Sequence, residues 1–114
     1  MGALNRRVTA MSDSGGNLSI TFPPVPYGHV WTGTLRVVAA PASSSWTGYR
    51  NGLDWAGAQT GGSAGTIEGT GGDTISLTGT GFAASTNYTA AWEGNDLAAS
   101  EVAVYQSPFP GTTH

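Results

Sequence analysis

Cysteine and lysine are both missing from this chain of 114 residues. Without cysteine there is no disulfide framework and no thiolate metal site. Secreted domains of this length commonly use disulfides, so their absence points towards folding in a reducing cytoplasm. Without lysine the cations are Arg6, Arg7, Arg36 and Arg50, set against seven carboxylates for a net charge of −3. No positive field exists to hold a phosphate backbone, which argues against nucleic acid as a partner. Long apolar runs are absent too. None approaches the ~20 residues that cross a bilayer, so no membrane partner is expected. The N-terminal stretch carries Arg6 and Arg7 with no apolar segment behind them, unlike a secretion signal. Helical stripes are the last absence. Gly (18) and Pro (6) punctuate the chain so often that no window of about eleven residues keeps a helical apolar period free of them. The segment 81–88 supports one helical turn at most.

The space left by charge is filled with glycine, threonine and alanine rather than with large apolar residues. A sparsely charged surface of this kind is poor at keeping neighbours apart. It suits a protein whose outer face becomes covered in an assembly, the other reading being a monomer kept apart by its carboxylates.

Alternation of period two is plentiful. Leu18, Ile20 and Phe22 alternate with Ser19 and Thr21 until Pro23-Pro24, which donate no hydrogen bonds, close the ladder. The longest run is 29–39: Trp31, Leu35 and Val37 share a face with Gly33, while Thr32, Thr34 and Arg36 share the other. Further strands are read at 44–49 around Trp46, at 74–78 around Ile75 and Leu77, at 88–92 around Tyr88, Ala90 and Trp92, and at 102–105 around Val102 and Val104. Weaker ones fall at 7–11 and 66–70. Turn chemistry separates them: Tyr27-Gly28, Asn51-Gly52, Gly61-Gly62, Gly71-Gly72-Asp73 and Gly94-Asn95-Asp96 tolerate positive φ, and Asn51-Gly52 is a two-residue hairpin signal. The reading is an all-β fold, a single-domain antiparallel β-sandwich or jelly roll of seven or eight short strands. Trp31, Leu35, Val37, Trp46, Ile75, Leu77, Trp92, Val102 and Val104 form most of its expected core, each large side chain contributing ~1.5–3 kcal/mol on burial.

The domain is placed at 17–106, between an N-terminal arm at 1–16 and a C-terminal tail at 107–114, both expected to be flexible. Leu4, Arg6, Arg7, Val8 and Met11 on the arm and Phe109 on the tail are candidate contacts. Such segments either lie on a neighbouring subunit or fold back on their own domain.

Catalytic patterns are sparse. Nucleophilic chemistry needs a base beside a hydroxyl or thiol, and a third group to orient the base. The histidines are His29, which opens a strand, and His114, the last residue; no Gly-x-Ser-x-Gly elbow is present. The acids Asp13, Asp54, Glu68, Asp73, Glu93, Asp96 and Glu101 sit in no motif, most of them in expected turns where Asp bonds the backbone. Gly79-Thr80-Gly81-Phe82-Ala83-Ala84 matches a dinucleotide fingerprint in form. That motif needs a following helix to aim its amides at pyrophosphate, and the next strand leaves no room for one. Glu93, Asn95 and Asp96 lack the spacing of a calcium hand. Asn17 and Asn87 open glycosylation triplets that are taken as chance matches in a chain with no export signal. No enzyme, metal or cofactor is expected. Aromatics remain: Tyr49, Arg50 and Trp55 flank the Asn51-Gly52 turn with Trp46, and exposed rings there would stack on sugars or anchor a protein interface.

From 23 to 106 the order of features resembles small virion proteins of tailed bacteriophages, particularly those infecting actinobacteria. The pieces are the proline-rich lead with Tyr27-Gly28, the strand 30–38 (Val-Trp-Thr-Gly-Thr-Leu-Arg-Val-Val), a Ser/Thr-rich strand and a glycine-rich loop. After these come 73–77 (Asp-Thr-Ile-Ser-Leu), 87–94 (Asn-Tyr-Thr-Ala-Ala-Trp-Glu-Gly) and 101–105 (Glu-Val-Ala-Val-Tyr). The chain departs from that pattern at 81–86, where Gly-Phe-Ala-Ala-Ser-Thr replaces a polar lead-in. The resemblance implies a jelly-roll sandwich, often trimeric, that decorates the head or belongs to the tail. It gives the expected function: a non-enzymatic capsid decoration (cement) protein in the virion, bound to the major capsid protein or other virion proteins as a homo-oligomer, with a trimer favoured. The alternative is a carbohydrate- or receptor-binding tail module, with a glycan as ligand, or a minor tail structural protein.

Overall fold

The computed structural model describes residues 2–97 and arranges them around eight strands. These are β1 (Gly2–Met11), β2 (Leu18–Thr21), β3 (Val30–Val37), β4 (Ser45–Arg50), β5 (Leu53–Thr60), β6 (Gly65–Thr70), β7 (Ile75–Thr80) and β8 (Asn87–Leu97). Antiparallel pairs join β1 to β8, β2 to β7, β3 to β6 and β4 to β5. The chain is thus one long hairpin doubled back at the β4–β5 turn. Rolling it up adds the β3–β8 and β4–β7 pairs and gives two sheets, β1-β8-β3-β6 and β2-β7-β4-β5. This wrapping is the jelly roll, a two-sheet sandwich with no helix among the described residues.

Alternation in the sequence decides which face each strand buries. Leu18 and Ile20 on β2, Leu35 and Val37 on β3, Trp46 on β4, Ile67 on β6, Ile75 and Leu77 on β7 and Trp92 on β8 are all buried. At the centre Trp92 meets Phe22 and Trp31 edge to face, with ring centroids 6.2 and 5.8 Å away, and its indole N–H donates to the Ile67 carbonyl at 3.2 Å. Of the expected core, Val102 and Val104 lie outside the described residues, as do the strand at 102–105 and the tail at 107–114.

Three expectations change. The segment read as an N-terminal arm is, over Gly2–Met11, the edge strand β1, paired with β8 along its whole length. The reason is its own period of two: Leu4 is buried and Val8 and Ala10 pack against the core, so the strand has an apolar face to cover. Gly94-Asn95-Asp96 is not a turn but part of β8. There Gly94 faces Gly33 of β3, and a Cβ on either would run into the backbone of the other strand, so the glycines serve close approach rather than chain reversal. Finally, the sequence offers no clear signal for β5, because its large apolar residues, Leu53 and Trp55, face solvent and the alternation stops there. Only Ala56, Gly57 and Gln59 are even half-buried on it, and a bulge opposite Gly48/Tyr49 breaks its register.

Candidate functional site

The connections β2–β3, β4–β5 and β6–β7 gather at one end of the roll. Asn51 and Gly52 form the β4–β5 turn with φ of 52° and 79°, the two left-handed residues of a type I′ hairpin. Asn51 then ties this turn to the next loop. Its side-chain amide donates to Asp73 at 3.0 Å, its side-chain carbonyl accepts from the Thr74 amide at 2.9 Å, and its own backbone N–H donates to the Thr74 carbonyl at 2.8 Å. Asp73 is the hub. Its carboxylate also accepts from the Thr70 amide at 2.9 Å and from the Arg50 guanidinium at 2.8 Å through both Nε and Nη2. The backbone of Asp73 holds the β2–β3 loop, its carbonyl accepting from the Val25 amide at 2.9 Å.

Burial works against the Asp73 carboxylate, but the hydrogen bonds from Asn51 and Thr70 and the charge of Arg50 outweigh it and hold its pKa below the ordinary value. The guanidinium of Arg50 lies 4.8 Å from the centre of the Trp55 ring, a cation–π stack that fixes the ring's inner side. Trp55 remains 50% exposed, Leu53 66% and Tyr27 87%. Tyr27 packs over Gly71 and Gly72, where a side chain would meet it. Three large side chains therefore stand in solvent at the end of the roll where this network ties the connections together.

The other candidates scatter. Leu4 is buried in the core, so it is no surface contact; this corrects its reading as an arm residue. Arg6 is exposed at the sandwich edge, its guanidinium 4.5 Å over the Trp31 ring. Arg7 faces the other way and pairs with Glu93 at 3.0 Å, with Arg36 on the other side of the same carboxylate at 3.5 Å. Val8 is half-buried against the core. Met11 is 60% exposed but lies at the far end of β1, opposite Asn87 and away from Trp55. Tyr49 is half-buried on the outer face of β4, its phenol oxygen accepting from Thr78 at 3.3 Å. Phe109 lies outside the described residues. The structure thus brings Arg50 and Trp55 together with Tyr27, Leu53 and Asp73. Sequence reading missed the last three as site residues. The signal available was that all of them sit in or beside glycine turns.

The acids mostly serve the fold. Asp13 accepts from the Asn17 side chain and from the Gly15 and Asn17 amides in the β1–β2 loop; the Asn17 bonds lower its pKa. Asp54 accepts from the Gly57 amide in the β5 bulge. Asp96 meets His29 Nδ1 at 2.9 Å, joining the end of β8 to the start of β3. Glu93 and Asp96 share β8 but engage partners on opposite faces, Arg7 with Arg36 and His29. Among the described residues no three His, Cys, Asp or Glu side chains cluster as metal ligands, and no helix is long and apolar enough to cross a membrane. The segment 79–84 leads through a turn into β8 at Asn87, with no helix after it.

A scan against protein-family models finds no match, and neither do searches of curated proteins and of solved structures.

Proposed function

We propose that this protein is a non-enzymatic structural protein of a tailed-bacteriophage virion, and that it decorates the capsid. The observation that carries the reading is the end of the roll, where Tyr27, Leu53 and Trp55 stand exposed on turns locked by Asp73 and Asn51. Rigid aromatic and aliphatic anchors bind with little entropy to lose. Repeated over a lattice, modest contacts sum to firm attachment. The low charge, the jelly-roll wrapping and the resemblance over 23–106 support the same reading. The major capsid protein is the proposed partner, and a homo-oligomer, a trimer by resemblance, the proposed form. Attachment is assigned to this end because residues 2–11 are committed to the sheet.

Quantitative mass spectrometry of purified virions tests the proposal. A copy number near that of the major capsid protein is expected; a handful of copies, or none, overturns it. The exposed Trp55 face also favours a second reading, a receptor- or glycan-binding tail module or minor tail protein, which a low copy number would select.

A further inference from the structure

The sandwich is open along one side, where β1 and β2 are the outer strands of their sheets. Alternation puts Arg6 on the same face of β1 as Leu4 and Val8, but Leu4 is buried and Arg6 exposed, so the core layer stops short there. Beside Arg6 lies a pocket of about 280 Å³, walled by Phe22, Trp31 and Trp92 and rimmed by the prolines of the β2–β3 loop. Among the described residues β2 pairs with β7 alone, and its other edge carries no strand. β8 ends near this opening: Leu97 stands opposite Val30, the neighbour of Trp31. The sequence runs on to residue 114, first through Ala98-Ala99-Ser100 and then through Glu101-Val102-Ala103-Val104-Tyr105, whose period of two gathers both valines on one face. We infer that residues 101–105 form a further strand on the open edge of β2, with Val102 and Val104 turned into the pocket.

Direction, reach and chemistry carry the assignment. β2 and β8 both run towards the end of the roll that holds the β2–β3 loop, so a segment turning back after Leu97 lies antiparallel to β2. Stacked sheets stand about 10 Å apart, and three extended residues span about 10 Å, so 98–100 suffice to cross from one sheet to the other. The pocket's walls are aromatic and Arg6 is its one charged lining residue, which calls for apolar side chains. Its volume lies just below the roughly 300–1,000 Å³ usual for small-molecule sites. The valines meet the pocket, and the opposite face bears Glu101, Ala103 and Tyr105, a mixture suited to solvent. Pairing also removes an open sheet edge. A second copy or a foreign peptide pairing with that edge would have to compete with a segment tethered a few residues away, at millimolar effective concentration. The inference stands apart from the lattice reading, so virion copy number does not bear on it.

The test uses the full chain, whose lack of cysteine lets an introduced pair report alone. Ser19 is exposed on the outer face of β2, so Ser19→Cys is combined in turn with Glu101→Cys, Ala103→Cys and Tyr105→Cys, and each double variant is oxidised in dilute solution. One pair should close an intramolecular disulfide about tenfold faster than the other two, because only one register meets the geometry of the bond. Separately, Val102→Asp with Val104→Asp should lower the melting temperature by several degrees, whereas Ala103→Asp, on the other face, should leave it unchanged. Three results overturn the inference: equal cross-linking of all three pairs, as an unpaired tail would give; disulfides formed only between chains, which would assign the edge to a second copy; or a melting temperature that the valine replacements do not lower beyond the Ala103 variant.

Discussion

Asp73 accepts hydrogen bonds from Arg50, Asn51 and Thr70 at its carboxylate and from the Val25 amide at its carbonyl, and so joins three connections that are far apart in sequence. Replacing it by Asn removes the charge and leaves Arg50, only 19% exposed at its side chain, without its counter-ion. Asp73→Asn should cost about 1–3 kcal/mol, read as a lower midpoint in urea at pH 7. The pH dependence follows from the sign of the shift. A carboxyl whose pKa is lowered on folding contributes stability above its unfolded value, and that contribution is lost as pH falls through the folded value. The native protein should therefore lose this part of its stability below about pH 4, and the difference between it and the Asn variant should shrink over the same range. Trp55 behaves in the opposite way. Half exposed and stacked only on Arg50, it contributes at most ~1 kcal/mol to folding. Trp55→Ala should leave the melting temperature within a few degrees yet weaken attachment to capsids about thirtyfold, as the loss of an interface anchor does. A collapse of the fold instead would assign the ring to the core.

At the scale of elements, β1 and the β4–β5 hairpin are held by different physics. β1 has an apolar face but no hairpin turn joining it to β8, and Arg6 and Arg7 stand at its middle. It is ordered because β8 lies beside it for ten residue pairs and because Leu4, Val8 and Ala10 cover one side of the core. Deleting residues 1–11 should therefore abolish cooperative unfolding in circular dichroism rather than release a folded domain, since β8 becomes an open edge over exposed apolar surface. A folded, monodisperse truncation would instead make residues 1–11 a dispensable arm. The hairpin, by contrast, is local. A Cβ at Gly52 meets nothing within 4 Å, but φ is 79°, so Gly52→Ala should cost about 1 kcal/mol through backbone strain alone. Thermal denaturation reads that loss directly.

For the whole molecule, the jelly roll places the first strand beside the last described one and leaves every connection at one of two ends. One end carries the exposed aromatics; the other is closed by Ser12, whose amide and hydroxyl bond the Thr86 carbonyl and amide across 2.9 and 3.0 Å. This polarity suits a subunit that stands on a surface with one end down. Under the proposed decoration role, a copy number near that of the capsid protein is the expected outcome, and the sparse charge suits a face that an assembly would cover.

Much of this was legible without coordinates. Strict alternation around Trp31, Leu35 and Val37, around Ile75 and Leu77, and around Tyr88, Ala90 and Trp92 marks strands because period two buries one face of a sheet and no other structure does. Asn51-Gly52 marks a hairpin because both residues tolerate positive φ. The strand β5, by contrast, buries no large side chain and owes its order to the backbone pairing offered by β4, which no local pattern announces. The same holds for the site. Arg50 and Trp55 stood out as neighbours of a turn, whereas Tyr27 and Asp73 join them only through loops that the roll folds together. The sequence by itself determined the fold class, the core members Trp31, Leu35, Val37, Trp46, Ile75, Leu77 and Trp92, and the scarcity of charge. Which residues share an end, and whether Leu4 faces core or solvent, was decided by tertiary pairing, because contacts between distant strands are set by register and topology rather than by local preference.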